Sequence, residues 1–385
     1  MQESILKGMN HVTKACVLTT VHQAYDGRIY HKQCKSLVKG GYDVTLIAPR
    51  PETIKNDGIK IIPIEKPKKE WKRILQSVKI VKTALRTKAD IYHFHDPELI
   101  PAGVLIKLLS GKPVIFDVHE HYPNAIMSKA YLRKSIKIPI RIIYEVIEKI
   151  SLPFLSGIIY TTKEIGERYK KYKSCKIENY PPLSLFKVSD LNSKDESLLL
   201  YLGGITEIRG IRQLIQGFAL VAKQNPKARL VFVGGFESRS FEQEIYDLVN
   251  ELGLENHMQF HGKVPYEEIQ KYMAAASIGI IPYLPEPNHL VCLPNKLFEY
   301  MASGIAVVAS DFPHYREVIE NSDAGQLIDP TKPESIAEGI LKLMENQSQT
   351  VLKQQKGKAM FRDVYNWEQE EKKLLKFYNE LISNH

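Results

Sequence analysis

Short apolar runs typical of buried strands alternate with helix-length segments along almost the whole chain. A first set of such runs lies at 15–21, 43–49, 59–64, 91–95, 113–119 and 157–162, and a second at 198–204, 229–235, 258–262, 278–283, 306–310 and 325–329. Strands that are buried on both faces and separated by helices indicate parallel sheets covered by helices. The chain is therefore predicted to be an α/β protein with two Rossmann-like domains.

The two sets are separated near 180–197 by a Pro-Pro pair and a polar run rich in Ser, Asp and Lys. Such a composition is typical of an interdomain linker. The predicted organisation is an N-terminal domain at 1–185, a linker at 186–197, a C-terminal domain at 198–366 and a C-terminal helix at 367–385. Because open parallel sheets bind ligands at the carboxyl ends of their strands, we expect the active site in the cleft between the domains.

The formal net charge is +9, and the cations are concentrated at 66–88 and 124–144. No zinc-finger spacing, RNA-binding aromatic signature or basic-region heptad is present, so no nucleic-acid partner is expected. The segment 66–88 also has apolar residues close to helical spacing, namely Trp71, Ile74, Leu75, Val78, Val81 and Leu85. This pattern favours docking on an anionic membrane surface, but a surface helix packed on the sheet has the same pattern.

The sequence contains no run of 18 apolar residues, and its first residues lack the layout of a signal peptide. The four cysteines form no CxxC pair. We therefore expect a cytoplasmic protein with reduced thiols that can lie at the inner face of the membrane.

A glycine motif opens the second domain, where a strand ends in Gly203-Gly204 within YLGGITEIRG. Glycines let a backbone approach a ligand closely, and a helix N-terminus attracts phosphate. Arg209 stands at the start of the next helix, where the helix dipole disfavours a cation unless an anion lies between them. A plain strand–helix turn with a surface arginine is the alternative. The spacing is not GxGxxG, which argues against a nicotinamide-dependent dehydrogenase.

The segment LPNKLFEYMASGIAVVASD at 293–311 predicts a helix that begins near Asn295 and is closed by Gly304. Lys296 and Glu299 share one face of this helix. In a nucleotide-diphosphate site, Lys296 would bind the phosphates and Glu299 the ribose hydroxyls, because a carboxylate can accept two hydrogen bonds from a vicinal diol. The alternative is a solvated ion pair, which contributes little to stability.

These two motifs resemble the C-terminal domain of the family 4, or "group 1", retaining glycosyltransferases. The resemblance extends to DGRIYHKQCKSLVKGGYDVTLIA, IYHFHDPELIPAG, FDVHEHYP and YNWEQEEKKLLKFY, so it covers nearly the whole chain. It implies the GT-B fold, in which two Rossmann-like domains with parallel sheets face each other across an interdomain cleft. It also implies that Arg209 binds the diphosphate and Glu299 the ribose of a nucleotide-sugar donor, with the acceptor on the N-terminal side.

Two positions depart from the family pattern. Many relatives have a second glutamate that contacts the donor sugar where this chain has Val291, and often an arginine where it has Gly204. The donor sugar is then expected to be held by Asn288, His289 and the main chain around Leu293, Pro294 and Asn295.

In the N-terminal half, the resemblance places His119 near the donor sugar, with a helix-capping loop histidine as the alternative. It places Asp26 and Arg28 where relatives bind acceptor or phosphate. With Arg209 and Lys296, His119 completes the predicted catalytic residues.

The stretch Asp96-Pro97-Glu98 superficially resembles a DxD metal site. Asp96 as an N-cap and Pro97 at the first helical position explain it better. We expect no metal ion and no cofactor beside the nucleotide-sugar substrate.

The predicted function is transfer of a hexose from a nucleotide-diphosphate sugar to an acceptor hydroxyl, with retention and without a metal. The acceptor would be a carbohydrate or lipid-linked molecule of bacterial-type cell-surface polysaccharide or glycolipid synthesis. Two alternatives stay open. A nucleotide-sugar epimerase of the same fold would change the donor without any acceptor. A non-catalytic binding protein would bind the donor without transfer or hydrolysis.

Overall fold

The computed structural model describes residues 12–50, 54–65, 72–128, 133–186 and 194–384. They form two compact units. The first combines the chain up to Asn179 with the chain from Glu368, and the second is Tyr180–Trp367. This boundary precedes the predicted linker at 186–197, most of which lies outside the described residues.

The sheet of the first unit is built from β1 (Lys14–Leu18), β2 (Asp43–Pro49), β3 (Ile54–Asn56), β4 (Ile59–Ile64), β5 (Ile91–Phe94), β6 (Val114–Val118), β7 (Gly157–Tyr160) and β8 (Ser174–Lys176). Their order is β3-β4-β2-β1-β5-β6-β7-β8. All neighbours are parallel except β3 and β4, which are antiparallel. The short edge strands β3 and β8 were not predicted, because neither is a sustained apolar run.

The helices of this part of the chain are α1 (Lys35–Lys39), α2 (Lys72–Arg86), α3 (Ile100–Ser110), α4 (Tyr122–Ser128), α5 (Lys134–Ser151) and α6 (Lys163–Glu167). A π-helical segment at Ile29–Cys34 leads into α1, and Pro97–Leu99 forms a 3₁₀ turn before α3. Of the helices in the described ranges, none is both long enough and apolar enough to cross a bilayer.

The second sheet contains β9 (Asp195–Leu202), β10 (Arg229–Val233), β11 (Met258–Phe260), β12 (Ala276–Ile281), β13 (Ala306–Ser310) and β14 (Gly325–Ile328). It is fully parallel, in the order β11-β10-β9-β12-β13-β14. The accompanying helices are α7 (Ile211–Gln224), α8 (Arg239–Glu251), α9 (Tyr266–Ala275), α10 (Asn295–Ala302), α11 (Pro313–Ser322), α12 (Pro333–Glu345) and α13 (Gln347–Asp363). Two α/β units with parallel sheets were predicted, and the structure confirms them.

The central strand β9 shows how the second sheet divides its core. Leu199 and Tyr201 belong to the apolar cluster on one face, and Leu200 and Leu202 to the cluster on the other. Successive side chains of a strand point to opposite faces, so the part of a strand that is covered on both sides is apolar. In β9 this part is 199–202, and the glycine turn follows directly at its carboxyl end.

The last helix, α14 (Trp367–Ser383), returns to the first unit. The hydroxyl of Tyr378 lies 2.7 Å from Nδ1 of His93 on β5, and the Tyr42 hydroxyl donates to Oδ1 of Asn379 at 2.6 Å. A Cβ on Gly157 would lie 2.7 Å from the ring of Phe377, so the glycine allows α14 to pack closely on β7. The predicted C-terminal helix is thus part of the first unit.

Candidate functional site

The turn after β9 has a backbone that requires glycine. Gly203 has φ +105° and Gly210 has φ +69°, conformations that disfavour residues with a Cβ. A Cβ on Gly210 would also lie 2.0 Å from the carbonyl oxygen of Pro282. The turn folds Arg209 back over the glycines, where its Nη1 donates to the Gly204 carbonyl at 3.0 Å.

The N-terminal turn of α10 brings Lys296 to the same place. A Cβ on Gly203 would lie 3.3 Å from both Nη1 of Arg209 and Nζ of Lys296. The two cations, predicted from separate motifs, therefore converge above the glycine turn. Because β9 and β12 are neighbours in the sheet, the loops that follow them meet at one carboxyl edge.

The ammonium of Lys296 is buried without a hydrogen-bond partner. Its side chain is 7% exposed, and Nζ has no hydrogen-bond partner among the described residues. Burial and the nearby Arg209 hold the pKa of Lys296 well below its usual range, while Glu299 partly opposes this shift. A buried cation without a hydrogen bond is costly unless a ligand supplies acceptors and negative charge. The solvated ion pair considered above does not describe Lys296.

The rings of Tyr201 and Tyr283 contact the two cations. Nζ of Lys296 lies 4.2 Å from the ring centre of Tyr201 and 4.9 Å from that of Tyr283, and Cζ of Arg209 lies 5.3 Å from the latter. Such cation–π contacts hold both side chains in position. Sequence reasoning missed both tyrosines, although Tyr201 lies within the predicted strand at 198–204 and Tyr283 is the last residue of the predicted strand at 278–283.

The loop between β12 and α10 carries the residues expected to hold the sugar. The ring of His289 lies 4.5 Å from that of Tyr283, and its Nδ1 lies 2.9 Å from the Leu284 carbonyl oxygen. Burial lowers the pKa of His289, and Arg209 adds to this shift. His289 therefore borders the two cations. The remaining candidates are Asn288 and Asn295, which are exposed, and Leu293 and Pro294, which are half-buried.

Helix α10 begins at Asn295 as predicted and ends at Ala302, and Gly304 follows with φ +63°. Glu299 lies one turn after Lys296 and is half-buried. Its carboxylate is close enough to influence the pKa of Lys296 and that of Tyr283. Its assignment to the ribose hydroxyls stays a prediction.

A buried polar cluster lies in the first unit around Asp117, near the end of β6. Nη2 of Arg28 donates to Asp117 at 3.1 Å and to the Ile177 carbonyl at 2.9 Å, and both side chains are almost fully buried. Burial alone would raise the pKa of Asp117, but Arg28 and His119 hold it well below its usual range. The predicted contact of Arg28 with acceptor or phosphate stays a prediction, since Nη2 is engaged in this ion pair but Nη1 is buried without a hydrogen-bond partner among the described residues.

Three histidines complete this cluster. Nδ1 of His95 lies 3.2 Å from Nε2 of His119, and the two rings are stacked with centroids 5.2 Å apart. Burial lowers the pKa of His93 and of His95, and it lowers that of His119 to about 4. All three are thus neutral near pH 7. Nδ1 of His119 lies 3.3 Å from Asp117, so both of its ring nitrogens face groups of this unit. Its predicted role near the donor sugar stays a prediction.

His93, His95 and Asp117 offer potential metal ligands whose atoms lie within 4.8 Å of one another. Asp117 is, however, already paired with the guanidinium of Arg28, which would repel a metal cation. Nδ1 of His93 is engaged by the Tyr378 hydroxyl. These contacts fit a hydrogen-bonded cluster better than a metal centre.

Asp26 caps the π-helical segment. Its Oδ1 accepts from the backbone amides of Arg28 at 2.8 Å and Ile29 at 2.9 Å. Burial alone would raise the pKa of Asp26, but a hydrogen bond from His22 and these amides lower it strongly. Its Oδ1 atom is therefore engaged locally, and its predicted contact with acceptor or phosphate stays a prediction.

Asp96 precedes the turn that starts at Pro97, as predicted, but its side chain makes no capping bond to that turn. Oδ2 of Asp96 instead accepts from the hydroxyls of Thr19 at 2.9 Å and Thr20 at 3.0 Å. The carboxylate thus joins the loops that follow β1 and β5.

Two family models match the chain. Residues 27–179 match Glycosyltransferase Family 4, and residues 185–359 match Glycosyl transferases group 1. An uncharacterised glycosyltransferase of Methanocaldococcus jannaschii is 27% identical over 184 residues, which are 48% of this chain and 45% of that protein. A phosphatidyl-myo-inositol mannosyltransferase of Mycolicibacterium smegmatis is 28% identical over 149 residues, 38% of this chain and 36% of that protein. The chain thus matches less than half the length of each of these two relatives.

Solved structures share the fold over nearly the whole chain. Sucrose-phosphate synthase from Thermosynechococcus elongatus is 18% identical, with a TM-score of 0.76 over 97% of this chain and 100% of that chain. HepE from Anabaena, solved in complex with UDP-glucose, is 15% identical, with a TM-score of 0.70 over 95% of this chain and 99% of that chain. Each similarity concerns the fold.

Proposed function

The chain belongs to the group 1, family 4 glycosyltransferases with the GT-B fold, and we propose that it transfers a hexose from a nucleotide-diphosphate sugar to an acceptor hydroxyl. The observation that carries this proposal is the buried ammonium of Lys296, which has no hydrogen-bond partner among the described residues and lies beside Arg209. A diphosphate would supply both the acceptors and the negative charge that this site lacks.

The same two cations suit the chemistry. When the bond between the anomeric carbon and the diphosphate oxygen breaks, the electron pair stays on that oxygen and the sugar becomes oxocarbenium-like. Preorganised cations stabilise the charge that develops on the leaving diphosphate. Glu299, one turn further along α10, would accept hydrogen bonds from the ribose hydroxyls. The UDP-glucose complex of a protein with this fold supports a nucleotide-sugar donor.

The finer parts of the proposal are retention at the anomeric carbon, independence of metal ions and a place in cell-surface polysaccharide or glycolipid synthesis. Retention rests on the family, and metal independence rests on Arg209 and Lys296 as the source of positive charge. The similarity to a phosphatidyl-myo-inositol mannosyltransferase supports an acceptor of the glycolipid class. The proposed location is the cytoplasmic side of the membrane.

A thermal-shift screen of nucleoside diphosphates and their sugars tests the donor site. A ligand that binds only the folded state stabilises it by RT ln(1 + [L]/Kd), so the preferred base should separate from the others. The stabilising nucleotide sugar is then incubated with and without carbohydrate and lipid-linked acceptors, and the products are analysed by mass spectrometry. Transfer, or slow donor hydrolysis, supports the proposal. Epimerised donor without acceptor would indicate the epimerase, and an unchanged donor would indicate a binding protein.

A further inference from the structure

Helix α5 exposes an almost continuous apolar face. On a helical projection, the exposed side chains on this arc are Ile136, Ile140, Ile142, Ile143, Val146, Ile147 and Ile150. Their exposed fractions run from 37% for Ile140 to 64% for Ile150. Single exposed apolar residues are normal on a protein surface, but a whole helix face of isoleucine indicates an interaction site.

The polar side of α5 is the side that packs on the protein. Glu148 is buried and accepts hydrogen bonds from the hydroxyl of Tyr169 at 2.7 Å and from Nε of Arg168 at 3.0 Å. Tyr144, one turn earlier, donates to the same carboxylate. An amphipathic helix on a soluble domain normally turns its apolar stripe inward. This buried hydrogen-bond group holds α5 in the opposite orientation.

Neighbouring elements extend the apolar face. Helix α3, which packs beside α5, exposes Leu105, Leu108 and Leu109, which are 41%, 64% and 62% exposed. We call this set of leucines, together with the apolar arc of α5, the α3–α5 surface.

Cations outnumber the solvent-facing acids around the α3–α5 surface. The cations on or next to the two helices are Lys107, Lys112, Arg133, Lys137, Arg141 and Lys149. Of the two acids in α5, Glu148 is buried with Arg168, and Glu145 lies 3.1 Å from Arg141. Isoleucine and leucine on one side and lysine and arginine along the border match the acyl and headgroup regions of an anionic lipid leaflet.

We propose that the α3–α5 surface docks on an anionic lipid bilayer, with α5 lying in the plane of the interface. A second copy of the chain fits less well, because an isologous contact through α5 would bring the two borders of like charge together. The inference stands on the exposed residues and does not depend on the transferase chemistry.

The proposed membrane contact differs from the one expected from the sequence. That expectation concerned 66–88, of which 66–71 and the side chains of 72–78 lie outside the described residues. In the described part of α2, Ile80 and Val81 are buried in the core of the first unit. This part of α2 therefore packs on the sheet, which was the alternative for that helix.

Co-sedimentation with vesicles tests the proposal. The full chain is mixed with vesicles of phosphatidylcholine alone or with 30% phosphatidylglycerol, at low and high salt. The test variant is Ile143→Gln/Ile147→Gln/Ile150→Gln, since glutamine preserves helix propensity. The matched control is Leu252→Gln/Leu352→Gln/Val364→Gln, which changes apolar residues of similar exposure in the second unit. Circular dichroism and thermal melts confirm that both variants fold.

We expect wild type and control to bind the anionic vesicles, more weakly at high salt, and the test variant to bind at least tenfold less. Should the triple variant not fold, the single change Ile143→Trp gives a second readout, because its additional fluorescence should be quenched by brominated lipid. No binding of wild type at low salt, or equal binding of the test variant, would overturn the proposal. So would a lipid-independent dimer in analytical ultracentrifugation that the test variant abolishes, since the surface would then join two copies.

Discussion

The ammonium of Lys296 lies 4.2 Å from the ring centre of Tyr201, and among the described residues it has no hydrogen-bond partner. Burial disfavours the charged form of Lys296, and the guanidinium of Arg209 lies next to the same glycine turn. Such an arrangement does not favour the stability of the empty protein. It favours an anion that binds at this point.

Lys296→Met should therefore separate binding from stability. Removing a buried cation should leave the melting temperature of the ligand-free protein unchanged or higher. Stabilisation by the nucleoside diphosphate should disappear, and kcat should fall by about two to three orders of magnitude. The kcat of Arg209→Ala should fall by a similar factor. The measurements are thermal shift and transfer rate at saturating donor, with Lys223→Met at an exposed position as control. Near-normal kcat in folded variants would contradict the phosphate assignment.

The two glycines at either end of the turn should respond differently to alanine. In Gly204→Ala the new Cβ would lie 3.1 Å from Nη1 of Arg209, so the guanidinium must shift slightly and kcat/KM should fall by roughly several-fold while the fold persists. In Gly210→Ala the new Cβ would lie 2.0 Å from the Pro282 carbonyl at positive φ, so the melting temperature should drop. Equal melting temperatures for the two variants would show that the positive φ and close contact of Gly210 do not limit the stability of the fold.

Glu299→Gln should weaken donor binding more than it slows the chemical step. Glutamine has nearly the same volume but loses the charge that accepts both ribose hydroxyls, which is a loss of uniform binding. A 2′-deoxy donor removes one of these hydroxyls, so it should bind wild type less well than the ribose donor. The variant should discriminate less between the two donors, because changes to interacting groups are not additive. If the variant discriminates as wild type does, Glu299 does not contact the ribose.

Transfer should persist in EDTA, because Arg209 and Lys296 supply the positive charge that a divalent ion would otherwise provide. The test compares rates in EDTA with rates after magnesium or manganese is added. A rate abolished by the chelator and restored by either ion would overturn this expectation.

The histidine cluster should make the free energy of unfolding depend on pH. In the unfolded chain a histidine titrates near its ordinary value of 6.5, whereas in the folded protein the pKa of His119 is lowered to about 4. Between these values the unfolded state binds more protons, so the free energy of unfolding falls as pH decreases from 6.5 towards 4. His119→Gln should reduce this slope in urea titrations at pH 7.5, 6.0 and 5.0. An unchanged slope would show that His119 does not contribute.

Much of the fold was predictable because its signals are local. All twelve predicted strands form, and β2, β4 and β13 have the predicted bounds. The helix that carries Lys296 starts at the predicted residue. The meeting of Arg209 with Lys296 followed from the general rule that parallel sheets bring loops together at their carboxyl edge.

Other features depended on partners distant in the sequence. The ion pair of Arg28 with Asp117 joins residues 89 positions apart, and the contact of His93 with Tyr378 joins residues 285 positions apart. The sequence around each of these residues does not indicate which distant residue it will contact. For that reason the pairing of Arg28 with Asp117 could not be predicted, and the helix at 367–385 could not be assigned to a domain.

The two sets of parallel strands, the glycine turn and the two cations could be predicted from the sequence, because periodicity, backbone conformation and charge are properties of short segments. The surroundings of these residues depend on tertiary packing and could not be predicted. Tertiary packing placed Tyr201 and Tyr283 against Lys296, closed the cluster around Asp117 and left the isoleucines of α5 exposed. An apolar stripe has the same pattern whether it faces a core or solvent, and burial depends on what packs against it.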